Sequence, residues 1–226
     1  MPLLHSLGVA VGGRVLDASC GIGTQVLGLA AAGFEVTGSD LSPGSIERAR
    51  AEAVARGLDA HFAVADLRRL PDDLDGRFDA VVSCDNSLAH MLDDADLAAA
   101  VSGLAACTVP GGVVLASVRP YDALAAARPA VTEPRVSGPV GARSVSFQLW
   151  SWDEAARTYG LEQLVVRETD DGWQAAAHGS RLRALRRAEL LAAFAGAGLE
   201  RVAWLEPEVS GFYQPLAVGH RPVGRS

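Results

Sequence analysis

The sequence predicts an α/β chain built on a doubly wound, Rossmann-like, mainly parallel sheet of seven strands, with an antiparallel β insertion after the fifth. Three observations predict it. Short apolar runs alternate with helical segments through residue 118. The stretch "VLDASCGIGTQVLGLA" (15–30) passes from an apolar strand through a small-residue loop with two close glycines into an Ala/Leu helix. Residues 121–186 then switch to period-two alternation before a helix and two strands close the chain. Buried apolar strands joined by helices are the signature of a parallel sheet covered on both faces.

Taken in order, "RVLDA" (14–18) reads as the first strand and "GTQVLGLAAAG" as a helix closed by Gly33. "EVTGS" (35–39) is the second strand, and Ser42-Pro43 supplies the N-cap and first-turn proline of a helix running to Gly57. "AHFAVA" (60–65) and "FDAVVSC" (78–84) are strands three and four, "DADLAAAVSGLAAC" is a helix, and "GGVVLASV" (111–118) is strand five. In the insertion, "RSVSFQLWSWD" and "YGLEQLVVRET" alternate, and Asp171-Gly172 marks a hairpin turn before "WQAAAHGSRLRAL". Trp150, Trp152 and Trp173 are its expected core. "RAELLAAFAGAG", "RVAWL" and "PLAVGH" return to the main sheet, so residues 1–226 read as a single domain carrying the insertion.

Composition narrows the function classes. Apolar residues make up 49% and charged residues 21%, as in ordinary globular domains. No apolar run approaches the ~18 residues of a membrane span and no basic region precedes one at the start, so no membrane partner and a cytoplasmic location are expected. The net charge of −7 argues against nucleic acid as a partner, because phosphate neutralisation needs a basic face. Cys20, Cys84 and Cys107 are odd in number and lack metal-ligand spacing, which points to reduced thiols and no metal. Every basic residue is Arg and none is Lys, a bias we attribute to codon usage.

In such a sheet, ligands bind beyond the carboxyl ends of the strands, where strand order reverses. The glycine loop fails as a dinucleotide site: Val26 stands where the third glycine belongs, and Ser19 replaces the first glycine of a D-x-G-x-G pattern. It also fails as a phosphate loop, which needs Lys. S-adenosylmethionine, which carries no phosphate, fits better. Asp17 offers an acid for its ammonium, Asp40 can accept both ribose hydroxyls, and Asp66 can accept from the adenine amine. Three acids at three consecutive strand ends, with the loop between them, form one constellation.

The stretches "VLDASCGIGT", "VTGSDLS", "VADL", "FDAVVSCDNSLAH" and "VPGGVVLASVRPYD" resemble the successive motifs of class I S-adenosylmethionine-dependent methyltransferases. "DNSLAH" (85–90), "RPYD" (119–122) and the closing "GFYQPLAVGHRP" are similar to the glycine/sarcosine N-methyltransferase branch. The resemblance implies a cofactor site of Asp17, Ala18, Cys20, Gly21, Gly23, Asp40, Leu41, Asp66, Leu67 and Cys84. It implies a small-molecule acceptor held by Asn86, Arg119, Tyr121 and Tyr213. Arg119 suits a carboxylate and Asn86 an amine, and no dedicated catalytic base is named. His90 reads as structural. Two alternatives stay open: O- or C-methylation in secondary metabolism, and a non-catalytic cofactor-binding protein. The family carries some tens of residues of cofactor-covering helices before its first strand, where this chain has "MPLLHSLGVAVGG". The expectation is therefore an open cleft, or a lid from upstream sequence or from another subunit of a homo-oligomer.

Overall fold

A computed structural model describes residues 2–153 and 157–224. The chain forms two compact units, Met1–Pro120 with Arg186–Ser226, and Tyr121–Leu185. The first unit runs α1 (Pro2–Ser6), β1 (Arg14–Asp17), α2 (Thr24–Ala31), β2 (Glu35–Asp40), α3 (Pro43–Ala55), β3 (His61–Val64), α4 (Leu70–Asp73), β4 (Phe78–Ser83), α5 (Asp94–Cys107) and β5 (Thr108–Ser117). The second holds α6 (Tyr121–Ala127), β6 (Arg135–Ser137), β7 (Ser144–Trp152), β8 (Thr158–Thr169) and β9 (Gly172–Arg183). The first unit then resumes with α7 (Arg187–Gly196), β10 (Glu200–Leu205), α8 (Pro207–Ser210) and β11 (Leu216–His220).

The first unit carries a seven-stranded sheet in the order β10-β11-β5-β4-β1-β2-β3. Its strands from β3 to β5 pair in parallel, and β11 joins β5 antiparallel. Val15, Leu16, Ala80, Val81, Val114 and Ala116 are fully buried, which is why these strands read as apolar runs rather than as alternation. Ser42 caps α3 by accepting the Ser45 N–H at 3.2 Å, as its position before Pro43 predicts. β5 starts three residues earlier than expected, at Thr108. The register against β4 shifts between Phe78 and Ala80, and that irregularity carries the strand past Pro110, which has no N–H to give the ladder.

The second unit is a four-stranded antiparallel sheet in the order β6-β7-β8-β9. Its core differs from the expectation. Trp150 is buried and stacks on Tyr159 with ring centroids 4.7 Å apart, and Trp152 packs on the same ring at 4.9 Å. Trp173 does not join them: it is half exposed at the start of β9, with the Arg143 guanidinium over its ring at 5.2 Å. Tyr159 fills the place assigned to it, because β9 is solvent-exposed through its first ten residues.

Candidate cofactor and acceptor sites

Strand order reverses between β1 and β4, and the loop after β1 lies at that switch. The loop is tied to the end of β2: Cys20 donates its N–H to the Ser39 carbonyl and Gly21 donates to Asp40 Oδ2, both at 2.8 Å. Asp40 Oδ1 accepts the Ser42 N–H at 2.9 Å. Glycine is required twice. Gly21 and Gly23 have φ of +52° and +86°, and a Cβ on Gly23 would stand 2.9 Å from that of Ala49.

Beside this loop lies a cavity of about 310 Å³, lined by Ala18, Asp40, Leu41, Asp66 and Leu67 together with Ser19, Ala65, Ser87, His90 and Met91. Five of the expected cofactor residues thus meet around one cavity. Cys20, Gly21 and Gly23 form the adjoining loop, and Asp17 is buried at the end of β1. Cys84 lines a larger apolar cavity of about 600 Å³ with Leu4, Gln25, Leu115 and Phe212. Ser87, His90 and Met91 were missed as cavity residues. Ser87 and His90 belong to the "DNSLAH" stretch, which was the available signal. His90, which reads as structural from the sequence, lines the cavity, and desolvation together with the Arg119 charge holds its imidazole below the usual range.

The donor set fits an uncharged nucleoside carrying a cationic tail. No Lys or Arg lines the cavity, so nothing there matches a phosphate. Each Asp40 oxygen keeps lone-pair capacity beyond its backbone N–H. Asp66 is less available: Arg68 holds it in a fork with Nε–Oδ1 at 3.0 Å and Nη2–Oδ2 at 2.6 Å, so an adenine amine would share that carboxylate. Burial raises the Asp17 carboxyl to about 7, against the Ser19 N–H that lowers it and with help from the Asp40 and Asp85 charges. A cation arriving beside it restores the ionised form. Burial pushes the Cys20 and Cys84 thiols up, Cys84 to about 12, so neither is an activated nucleophile.

At the ends of β4 and β5, Asp85 and Asn86 are consecutive non-glycine residues with φ of 62° and 72°. Ser117 holds this turn: its Oγ accepts the Asp85 N–H at 2.8 Å and its carbonyl accepts the Asn86 N–H at 3.2 Å. The Ser117 hydroxyl in turn donates to Gln214 Oε1 at 2.8 Å. Asn86 is buried, and its Oδ1 accepts the Arg119 N–H at 3.2 Å. Tyr213 donates its hydroxyl to the Asp85 carboxylate. The phenol is pushed up by burial and by Asp85, and is eased by Arg119. Asn86, Arg119 and Tyr213 therefore sit in one network. Tyr121 lies in the second unit, buried, with its hydroxyl 2.7 Å from that of Tyr159.

Residues 15–112 match the methyltransferase-domain family. The ubiquinone biosynthesis O-methyltransferase of Alkalilimnicola ehrlichii is 37% identical over 111 residues, 49% of this chain and 43% of that protein. The glycine/sarcosine N-methyltransferase of Halorhodospira halochloris is 31% identical over 111 residues, 49% of this chain and 41% of that protein. The chain thus spans less than half the length of these curated relatives. The structure of CalS10 with bound S-adenosylmethionine, an amino pentose methyltransferase from Micromonospora echinaspora, superposes with a TM-score of 0.73 at 25% identity. That match covers 93% of this chain and 84% of that one. Residues 15–112 thus carry the match to a methyltransferase domain, and the fold is shared with a structure that holds S-adenosylmethionine; the glycine loop, the strand-end acids and the cavity beside them lie within or next to that stretch.

Proposed function

We propose that the chain transfers a methyl group from S-adenosylmethionine to the amino nitrogen of a small amino acid or similar carboxylate-bearing amine of the glycine/sarcosine kind. The cofactor would be held by Asp40 at the ribose diol, by Asp66 and the Leu67 backbone at the adenine, and by Asp17 with the Gly21–Gly23 loop at the methionine end. Bound S-adenosylmethionine supplies an electrophilic methyl group on a sulfonium. The chain's own work is positioning: in-line alignment can contribute roughly 7–11 kcal/mol, so a dedicated base is not required.

One observation carries the acceptor assignment. The Asn86 side chain clamps the Arg119 backbone across the ends of two adjacent parallel strands, and the Arg119 charge acts on both His90 and Tyr213. A guanidinium placed there suits bidentate binding of a carboxylate, and the Asn86 Nδ2 carries two further donors. Tyr213 stands in the same network. A second reading is O-methylation, favoured by the 37% identity to an enzyme named as a ubiquinone biosynthesis O-methyltransferase.

The test is S-adenosylhomocysteine release across matched acceptors: amino acids, the corresponding amines without carboxylate, and hydroxylated aromatics. Amino acids should turn over best. Arg119→Lys should raise KM about tenfold or more while S-adenosylhomocysteine affinity stays unchanged. Wild-type kinetics in that variant, or equal turnover of an acceptor without a carboxylate, would remove Arg119 from the acceptor site.

A further inference from the structure

A second charged group stands at the acceptor end, and the assignments so far leave it unused. Asp85 follows β4 as Arg119 follows β5, and the two strands are adjacent, with Ser83 paired to Ala116. Neighbouring strands lie about 4.8 Å apart, so the two charged residues leave the sheet from neighbouring strand ends. Asp85 is exposed, yet its position is fixed from both ends: the backbone N–H on Ser117 Oγ at 2.8 Å and the carboxylate by the Tyr213 hydroxyl. A carboxylate has about four lone-pair sites, so one phenol leaves room for an ammonium. The residue also holds φ at 62° beside Asn86 at 72°. Paired left-handed non-glycine residues are costly, and they persist where the surrounding structure enforces them, often at functional sites.

We propose that Asp85, oriented by Tyr213, binds the acceptor's ammonium, so that Asp85 and Arg119 together select a zwitterionic amino acid over hydroxyl acceptors. This deepens the amine reading and rests on it. The ammonium has no lone pair, so one proton must leave for solvent, to which Asp85 is open. The freed pair on nitrogen then forms the new carbon–nitrogen bond, while the carbon–sulfur bond breaks with its electrons left on sulfur. Positive charge thereby returns to nitrogen, facing the same carboxylate. An anion placed where that charge develops lowers the barrier measured from free acceptor. It also favours the ammonium form of the bound acceptor, and so raises the pH at which kcat climbs.

The experiment uses Asp85→Asn and Asp85→Gly in the full chain, with glycine as the amine and glycolate as its hydroxyl counterpart. Both variants should weaken glycine binding to the S-adenosylhomocysteine complex about 10- to 100-fold, the range expected for one charge-assisted hydrogen bond. Glycolate and S-adenosylhomocysteine should bind as in the wild type. KM for glycine should rise with kcat at pH 7 nearly kept, and the midpoint of the kcat–pH profile should move to lower pH. Asp85→Gly removes the cost of positive φ, so its Tm should equal or exceed that of the wild type. Unchanged glycine affinity with an unmoved pH midpoint in folded variants would overturn the role of Asp85 alone. A wild type that methylates hydroxyl acceptors and binds no amine would overturn the amine reading, and this inference with it.

Discussion

The two sheets of this molecule are built on opposite principles. In the seven-stranded sheet, β1 and β4 bury nearly every residue and β5 buries its last five, so each strand end is a fixed point from which a loop must leave. In the four-stranded sheet, β9 exposes its first ten residues and β8 is only half-buried. Its core is a small group in which Tyr121, Trp150 and Trp152 gather around Tyr159, with Leu161, Leu182 and Leu185 also buried. Parallel strands buried on both faces impose where ligands bind; an antiparallel sheet with an open face imposes little. The family match at residues 15–112 falls wholly within the first unit, in agreement with that contrast.

The sharpest way to break the comparison is to remove the one ring on which the second core depends. Tyr159 is 1% exposed, stacks on Trp150 and Trp152, and meets the Tyr121 hydroxyl at 2.7 Å. Tyr159→Ala should cost about 3–5 kcal/mol, the range for truncating a buried aromatic. Segment-resolved hydrogen exchange should show β7 and β8 losing protection while β1, β2 and β4 keep theirs. Equal loss in both sheets would mean that they unfold as one cooperative unit.

The buried acid of the first sheet gives the next largest effect. The Asp17 carboxyl is raised from 3.8 to about 7, chiefly by burial. The sign follows from linkage. The folded state holds this proton more tightly than the unfolded chain does, so stability is full below pH ~4 and is lost as pH rises towards 7. At about 1.4 kcal/mol per pH unit the loss is on the order of 4 kcal/mol. Asp17→Asn removes it. In cofactor-free protein, the variant's advantage in urea unfolding should be small at pH 4.5 and grow to its full size by pH 8. A pH-independent difference would show that folding does not shift the Asp17 carboxyl.

What could be read from the sequence follows the same division. The Asp17, Asp40 and Asp66 positions were legible because strand ends in a doubly wound sheet are predictable and polar residues there are conspicuous. The place of His90 beside the cavity was not legible, because a lone histidine on a short turn gives no periodic signal; the structure brings it to the cavity with Asp40 and Asp66. The fork between Arg68 and Asp66 was invisible for a related reason, since its partners are two residues apart on a 3-10 turn rather than on a helix. Trp173 was misplaced because alternation in β9 suggests a buried face, and the sheet supplies nothing to bury it. Pattern gives periodicity; it does not say which face finds a partner.

Asp40 tests whether the first sheet's loop and its ligand site are one device. Because Asp40 holds the N–H groups of Gly21 and Ser42, replacement by alanine would release the loop as well as the ribose contact. Asp40→Asn is the cleaner variant: it keeps one acceptor and removes the charge. S-adenosylhomocysteine affinity should fall about 10- to 100-fold, equivalent to about 1.5–3 kcal/mol, with little change in Tm. Calorimetric titration with unchanged affinity would separate the loop's geometry from cofactor binding.

The smallest effect is expected where the second sheet resembles a core in sequence and is not one. Trp173 is 50% exposed, and its ring faces the Arg143 guanidinium at 5.2 Å. Arg143 is held independently, by a fork on Glu168 at 2.8 and 2.9 Å. That fork keeps the Glu168 carboxyl down at about 2, so the ion pair persists across the working pH range with or without the tryptophan. Removing the ring therefore costs one exposed cation–π contact and leaves the fork standing, where removing Tyr159 takes away the stack that the core is made of. Trp173→Ala should shift Tm by no more than about 2 °C, as surface substitutions do in a chain of this size. The measurement is a thermal melt of the variant beside Tyr159→Ala. A Trp173→Ala loss approaching that of Tyr159→Ala would mean that the open face of β9 is covered in solution, and that the contrast between the two sheets is weaker than the structure of one chain displays.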